Sequence, residues 1–231
     1  MFRIGLLVPS SNTTMEPDFY RMAPEGVCIH SARMSLLEFT SQALLKMADE
    51  AQREAGLLAS ASVDVIVYGC STCSLVGGVD WEAILVDQIQ FNTGTSVIIA
   101  NRAVVEALMS LGDGGVGVVT PYAGEINRLE RRYLEAHGLR VTTIRGLGLS
   151  DVLEVGRTEE EVILQLVEQA AERADILYIS CTNLPVIHII EKIESEWGIP
   201  VVTSNQASLW AALKPSKVRG IEGYGKLLRD I

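Results

Sequence analysis

Short, nearly uninterrupted apolar runs recur along the chain, and longer stretches with one polar face separate them. Such runs predict strands of a parallel sheet, because both faces of these strands are buried. The stretches between them have the periodicity of amphipathic helices that pack on the sheet. The alternation predicts an α/β fold. The predicted strands are 3–8, 63–68, 97–100, 116–120, 176–180 and 200–203, and the clearest predicted helices are 44–60, 103–111, 125–137 and 159–174.

The chain contains two copies of one pattern, which is the most informative feature of the sequence. GLLVP at 5–9 matches GVVTP at 117–121, DVIVYGC at 64–70 matches DILYISC at 175–181, and VIIANRA at 97–103 matches VVTSNQA at 201–207. In each copy one strand ends at a proline, the next at a cysteine and the last at an asparagine. Three matches in the same order predict two pseudo-symmetric α/β halves, each a parallel sheet flanked by helices.

The repeat also suggests where the halves divide. We expect residues 1–95 together with 200–231 to form the first half, and residues 96–199 to form the second. Ligands of open parallel sheets sit outside the carboxyl ends of the strands. The active site is therefore expected between the halves. A smaller local expectation is a capping box of Thr158 and Glu161 at the start of the helix over 159–174.

Cys70 and Cys181 occupy equivalent places in the repeat, so we expect them to face each other across one cleft. Either cysteine alone would be interpreted as a buried structural residue. A thiol acts as a base, acid or nucleophile when its surroundings lower its pKa from about 8.5. Each cysteine follows a strand and precedes a predicted helix, whose N-terminal N–H groups favour a thiolate. The pair is predicted to be catalytic.

The loops around the two cysteines carry many hydrogen-bond donors, which suit a carboxylate. A role in substrate binding is predicted for six residues, namely Asn12, Tyr122, Ser71, Thr72, Thr182 and Asn183. Asn12 and Tyr122 belong to the equivalent proline loops of the two copies. The predicted partner is a small mono- or dicarboxylate.

Other chemistries are less well supported by the residues. Cys70 and Cys73 form a C-x-x-C pair that leaves a redox role open, but a zinc site would need two further ligands at suitable spacing. We expect no metal, and little kinetic effect from Cys73 or from Cys28. The glycines of 112–117 precede a strand, so they do not form a dinucleotide-binding fingerprint. A non-catalytic, two-lobed carboxylate-binding module remains an alternative that thiol reactivity would distinguish.

Composition narrows the partners and the compartment. Hydrophobic residues make up 48% and charged residues 21% of the 231 residues, an ordinary globular balance. The net charge of −10 argues against nucleic-acid or anionic-membrane partners, which require clustered Lys and Arg. No apolar run reaches the roughly 20 residues of a membrane helix, and no signal peptide is evident. Four cysteines without an export signal suggest reduced thiols and a cytoplasmic protein.

The segment VPSSNTTME at 8–16 is very similar to the signature of maleate isomerases. Together with segments 30–34, 120–122 and 200–203, it makes the chain resemble the aspartate/glutamate racemase superfamily, in its maleate cis–trans isomerase and arylmalonate decarboxylase branch. The resemblance covers nearly the full length. It implies two flavodoxin-like halves, no metal or organic cofactor, and a possible homodimer.

The resemblance also implies roles for the site residues. Cys70 would add to the double bond of maleate and form a succinyl-cysteine, and Cys181 would be the partner acid/base. Asn12 and Tyr122 would hold the carboxylates, and rotation followed by loss of the thiolate would yield fumarate. The polar residues after both cysteines depart from the maleate isomerase pattern, so a racemase or epimerase of an acidic amino acid remains an alternative. Arylmalonate decarboxylases keep only the second cysteine, which argues against that activity.

Overall fold

Two four-stranded parallel sheets form the framework of the protein. A computed structural model describes residues 1–36 and 40–231. The first sheet has the order β2-β1-β3-β4 and the second has the order β6-β5-β7-β8. The strands are β1 (Phe2–Pro9), β2 (Val27–Met34), β3 (Val65–Tyr68), β4 (Ser96–Ile99), β5 (Gly115–Thr120), β6 (Arg140–Gly146), β7 (Ile176–Ile179) and β8 (Val201–Thr203). The shared order confirms the predicted fold of two similar α/β halves.

Helices connect the strands and cover the sheets. They are α1 (Met15–Met22), α2 (Ser41–Ser60), α3 (Ser71–Thr93), α4 (Ala100–Leu111), α5 (Gly124–Ala136), α6 (Val152–Val155), α7 (Glu160–Ala171), α8 (Ile190–Trp197), α9 (Ser204–Leu213) and α10 (Gly225–Arg229). Every residue of β3, β5, β7 and β8 is buried, as their continuous apolar sequences predict. No helix in the described part of the chain is both long and apolar enough to span a membrane.

Two strands were missed by the sequence pattern, and both lie at the edge of a sheet. β2 and β6 each pair with one neighbour only, β1 and β5 respectively. Most residues of β2 and β6 are partly or fully exposed, so their sequences mix polar and apolar side chains. Edge strands need no continuous apolar run, because solvent covers part of their surface.

The strand pairing corrects the predicted division of the chain into 1–95 plus 200–231 and 96–199. β4 pairs with β3 in the first sheet, and β8 pairs with β7 in the second. Both strands therefore lie in the opposite half from the one predicted. The helix after β8 does reach the N-terminal half, because α9 packs on α1, β3 and β4 as well as on α4. The helices α4 and α9 thus join the halves, although each strand stays in its own sheet.

The predicted capping box at Thr158 was also wrong. The Thr158 hydroxyl donates to the carbonyl oxygen of Val155, 2.9 Å away, and caps no helix N-terminus. A capping box forms instead at Thr203 and Gln206, at the start of α9. This box secures the N-terminus of the helix that carries two residues behind the site, Ser204 and Asn205.

Candidate active site

Cys70 lies at the end of β3, directly before the first turn of α3. The residue before it is Gly69, where a Cβ would collide with Met15 Sδ and the Leu7 carbonyl. Glycine therefore allows the loop to lie this close to α1. A helix does begin after Cys70, as predicted, and Cys70 is its N-cap residue.

The surroundings of Cys70 favour its thiolate. A hydrogen bond from the Cys73 side chain lowers the pKa of Cys70, and backbone N–H groups of Cys73 and Thr72 lower it further against the effect of burial. Burial and the nearby Cys70 raise the pKa of Cys73. We expected little from Cys73, yet the geometry makes it a donor to the predicted nucleophile. The C-x-x-C spacing contains this signal, because i and i+3 residues meet at a helix N-terminus.

Cys181 has a different backbone setting from Cys70. No helix starts at Cys181, contrary to the prediction, and the residue has a φ of 96°. A positive φ is strained for a residue with a Cβ, and such strain persists only where neighbouring contacts hold it. One such contact is the hydrogen bond from the Cys181 N–H to the Ser204 hydroxyl, at 3.1 Å.

The Cys181 thiol is held in its protonated form. Burial raises its pKa to about 11, although hydrogen bonds from Tyr122 and the Asn183 N–H act in the opposite direction. The Asn183 nitrogen lies 3.4 Å from the sulfur. The charges of Cys70 and Glu130 raise the pKa further. The prediction that both cysteines have lowered pKa values is therefore wrong for Cys181.

Tyr122 connects the two halves at the site. Its buried hydroxyl contacts the Cys181 thiol, and it lies 3.5 Å from the Thr72 hydroxyl on α3. Thr72 also places its N–H beside Cys70. Tyr122 and Thr72 thus bring the two cysteine loops into one site. Ser71 lies beside them at the start of α3, where its carbonyl oxygen accepts a bond from the Asn101 amide at 3.0 Å.

The remaining predicted binding residues mainly join the loops to one another. The Asn12 amide donates to Thr182 Oγ1 at 3.0 Å, and Thr182 donates to the Gly69 carbonyl oxygen at 3.1 Å. Asn183 Oδ1 accepts the Thr13 N–H at 2.8 Å. These bonds join the second cysteine loop to the first proline loop and, through Gly69, to the first cysteine loop. The role of Asn12, Thr182 and Asn183 in binding carboxylate stays a prediction.

A small cavity of about 40 Å³ lies over Cys181. Tyr122, Thr72 and Asn183 line it together with the segment that contains α6, which contributes Leu149, Ser150, Asp151, Val152 and Val155. The sequence did not indicate this segment, because it lies far from both cysteines in the chain and has no motif. Its position is fixed in part by the Asn183 amide, which donates to the Val152 carbonyl oxygen at 2.6 Å.

Two buried carboxyl groups lie behind the loops and were also missed. Asp18 and Glu130 are 2% and 1% exposed, and burial raises the pKa of each to about 7. They are equivalent in the repeat, since each stands nine residues after its Pro9 or Pro121. The repeat could therefore have indicated them. Among residues 1–36 and 40–231, no group of three or more His, Cys, Asp or Glu side chains is placed to hold a metal.

The sequence matches the arylmalonate decarboxylase family over residues 4–228. The chain belongs to this family. The match confirms the predicted resemblance, and it spans both halves, both cysteines and the Tyr122 loop.

Relatives in this family include maleate isomerases that align over almost their whole length. The maleate isomerase of Geobacillus stearothermophilus is 30% identical, over 98% of this chain and 97% of its own. A cysteine-to-alanine variant of Pseudomonas putida maleate isomerase with maleate has 27% identity and a TM-score of 0.93, covering 99% and 97% of the chains. A cysteine-to-serine mutant of Nocardia farcinica maleate isomerase, with a covalently bound succinylcysteine intermediate, has 30% identity and a TM-score of 0.90, covering 99% and 98%.

Proposed function

We propose that this protein is a maleate cis–trans isomerase that works through a covalent succinyl-cysteine on Cys70. The observation that carries the proposal is the opposite shift of the two thiols within one site. The pKa of Cys70 is lowered and that of Cys181 is raised to about 11. One thiol is thus suited to attack as a thiolate, and the other to donate a proton. The relatives named maleate isomerase support the substrate.

In the proposed reaction the Cys70 thiolate adds to one alkene carbon of maleate. The electron pair of the double bond moves to the other alkene carbon, next to a carboxylate, and the Cys181 thiol protonates it. The new single bond can then rotate. The Cys181 thiolate removes a proton from the same carbon, the double bond re-forms, and the Cys70–carbon bond breaks to release fumarate and the Cys70 thiolate.

The hydroxyls at the site suit the charge that develops in this reaction. Addition of a thiolate beside a carboxylate places negative charge on the carboxylate oxygens. Fixed donors aimed at such oxygens stabilise the transition state. Tyr122 and Thr72 lie between the two cysteines and are the proposed donors, with Ser71, Thr182, Asn183 and Asn12 around them. The proposed chemistry requires only thiols and protons, so no cofactor is needed, and free thiols suit the cytoplasm.

The same asymmetry disfavours the racemase alternative. A racemase exchanges one α-proton between two bases on opposite faces, and each thiol must act as a thiolate in one direction. In one direction a racemase needs Cys181 as the thiolate of the resting enzyme, which burial and the charges of Cys70 and Glu130 oppose. In the proposed isomerase the Cys181 thiolate forms only transiently, while Cys70 is bonded to the substrate and carries no charge. A binding module is disfavoured for a different reason: it has no need of a thiolate-stabilising helix N-terminus at Cys70.

The deciding experiment combines NMR with mass spectrometry. Wild-type protein is incubated in D₂O with maleate, aspartate, glutamate and an aryl-malonate. Isomerisation of maleate is the expected result, whereas α-deuterium exchange of an amino acid would replace the proposal with the racemase. Peptide mass spectrometry of the Cys181→Ala variant with maleate should then find a succinyl adduct on Cys70. Cys28→Ala is the matched control, and an adduct on Cys181 in Cys70→Ala would reverse the two roles.

A further inference from the structure

A continuous series of buried hydroxyl groups lies behind Cys181. The Ser180 hydroxyl donates to Glu130 Oε1 at 2.6 Å, and the Tyr178 hydroxyl donates to Ser180 Oγ at 3.1 Å. The Tyr178 and Ser204 hydroxyls are 3.2 Å apart, and Ser204 accepts the Cys181 N–H at 3.1 Å. Tyr178, Ser180, Ser204 and Glu130 are each 1% exposed or less. We call these four residues the Glu130 chain.

The hydrogen bonds of the Glu130 chain all point in one direction. A hydroxyl has one hydrogen to donate. Tyr178 directs its hydrogen toward Ser180 and the Glu130 carboxyl, so Ser204 must donate to Tyr178. The order is therefore Cys181 N–H to Ser204, Ser204 to Tyr178, Tyr178 to Ser180, and Ser180 to Glu130. Bonds aligned in this way polarise one another and favour a negative charge at the final acceptor.

Glu130 does not have the contacts of a purely structural carboxyl. Its Oε2 atom is buried and has no hydrogen-bond partner in the described part of the chain. Leaving a buried polar atom without a partner is costly, so such groups in native proteins call for a reason. The groups whose pKa this carboxyl raises are Cys181 and Tyr178 at the end of β7 and Tyr122 before α5. The Glu82 carboxyl lies on α3, which packs on α5, but it accepts a hydrogen bond from the Tyr133 hydroxyl at 2.9 Å.

The first half of the repeat lacks the Glu130 chain. At the positions equivalent to Tyr178, Ser180 and Ser204 it has Val67, Gly69 and Ala100, none of which has a polar side chain. The carboxyl group is retained as Asp18, but its partner is the Asn205 amide at 2.8 Å. The three hydroxyls therefore occur only beside the cysteine with the strained backbone and the raised pKa.

We propose that Glu130 is a positioning residue for Cys181: through the three hydroxyls it holds the strained Cys181 backbone, and its charge keeps the thiol protonated. The inference rests on the proposed role of Cys181 as the acid of the isomerase. It assigns the asymmetry between the two thiols to a specific network. Cys70 attacks because its hydrogen bonds at the helix N-terminus stabilise an anion, and Cys181 donates because burial disfavours its thiolate and the Glu130 anion behind it adds to that effect.

The test measures thiol reactivity, which needs no substrate. Wild-type, Glu130→Gln and Glu82→Gln proteins are alkylated with iodoacetamide across a pH series, and each cysteine is followed by peptide mass spectrometry. In Glu130→Gln the midpoint for Cys181 should move to lower pH, so that near pH 8 Cys181 reacts about three- to tenfold faster. Cys70 serves as the internal control, and Glu82→Gln should leave both midpoints unchanged. An unchanged Cys181 midpoint in Glu130→Gln, or an equal shift in Glu82→Gln, overturns the proposal.

A second variant covers the case in which Glu130→Gln does not fold. Ser180→Ala removes the 2.6 Å bond to Glu130 and leaves the carboxyl in place. Ser180 donates to the charged form of Glu130, so its loss raises the Glu130 pKa above about 7, and near pH 7 to 8 the carboxyl then keeps its proton. Cys181 alkylation should therefore be faster than in the wild type near pH 7 to 8, and the two rates should converge at higher pH, where Glu130 is ionised in both proteins. Ser208→Ala is the matched control, since its hydroxyl donates to the Ser204 carbonyl oxygen at 2.7 Å outside the Glu130 chain. A rate change that is uniform across the pH series would indicate greater exposure only and would contradict the proposal.

The alkylation result is separable from the proposed function. If wild-type protein isomerises maleate but the pH dependence of Cys181 alkylation does not change in the variants, only the role of Glu130 fails. If that pH dependence changes but maleate is not isomerised, the network stands and the proposed substrate fails.

Discussion

At the scale of single residues, the same side chain meets two different surroundings in the repeat. Cys70 is the N-cap of α3 and receives hydrogen bonds from Cys73 and from backbone N–H groups. No helix begins directly after Cys181, and burial has the largest effect on its pKa. The chemistry of a thiol depends on which of its two forms the surroundings favour. Their proposed division into nucleophile and acid rests on these local contacts.

Replacing Cys73 with alanine should slow the attack by Cys70. The variant removes the largest contribution that lowers the Cys70 pKa, so less thiolate is present near neutral pH. One pKa unit corresponds to about a tenfold loss of thiolate below the midpoint. We expect Cys70 alkylation and maleate turnover to fall about three- to tenfold near pH 7, and to recover at high pH. Cys28→Ala is the control, and an unshifted pH profile in Cys73→Ala would contradict the assignment.

Replacing Tyr122 with phenylalanine removes one hydroxyl from the centre of the site. Loss of a donor to a charged group costs about 1.5–3 kcal/mol, which predicts a fall in kcat/KM of about 10- to 100-fold. The Cys181 pKa should also rise, because the Tyr122 hydroxyl lowers it in the native protein. Steady-state kinetics with maleate measures the first effect. Tyr20→Phe, at an exposed tyrosine of α1, is the control, and equal kinetics in both variants would remove Tyr122 from the site.

At the scale of elements, α9 is important because it serves both halves. It follows β8 of the second sheet, packs on α1 and α4, and places Ser204 behind Cys181. Asn205 on the same turn donates to Asp18 and to the Thr182 carbonyl oxygen, at 2.8 and 3.0 Å. The N-terminus of α9 thus holds the second cysteine loop in place through Ser204 and Asn205.

The position of the capping box can be tested through stability. Thr203→Ala removes the hydroxyl that accepts the Gln206 N–H at 3.2 Å, and loss of an N-cap costs about 0.5–2 kcal/mol. Thr158→Ala, at the site where the sequence pattern predicted the box, should cost less than about 0.5 kcal/mol. Urea unfolding of the two variants gives both values. A larger loss of unfolding free energy in Thr158→Ala than in Thr203→Ala would contradict the position of the capping box at α9.

At the scale of the whole molecule, Asp18 and Glu130 make stability depend on pH. Both carboxyls have a folded-state pKa of about 7, raised from ordinary values of 3.8 and 4.5. The folded protein therefore holds more protons than the unfolded chain between these values. The contribution of these two groups to the unfolding free energy is fully present below about pH 4. It is lost as the pH rises through about 7.

The double variant Asp18→Asn with Glu130→Gln should flatten this dependence. Each carboxyl contributes a loss on the order of 3–4 kcal/mol between about pH 4 and pH 8 in the wild type. Unfolding free energies across this range should therefore fall less steeply in the double variant, whatever its absolute stability. Glu25→Gln, at an exposed glutamate, is the control. Parallel curves for the wild type and the double variant would contradict the raised pKa values.

Much of the architecture and part of the site could be predicted from the sequence. Continuous apolar runs predict six strands, because burial on both faces leaves a strong local pattern. Matched segments predict the repeat and the equivalent positions of Cys70 and Cys181. The edge strands β2 and β6 leave none. The segment that contains α6 was not predicted to belong to the site either, because only the fold brings it near the cysteine loops.

The sequence by itself determined that there are two similar halves, each with a cysteine after its second predicted strand, because repeats and periodicity are local properties of the chain. The tertiary structure decided which strands pair, and so moved β4 and β8 between the halves. It also decided that the two thiols differ. Proton affinity depends on burial, on nearby charge and on donors that come from distant parts of the chain, such as Tyr122 and Glu130 for Cys181. Those contacts exist only once the sheets and helices have packed together.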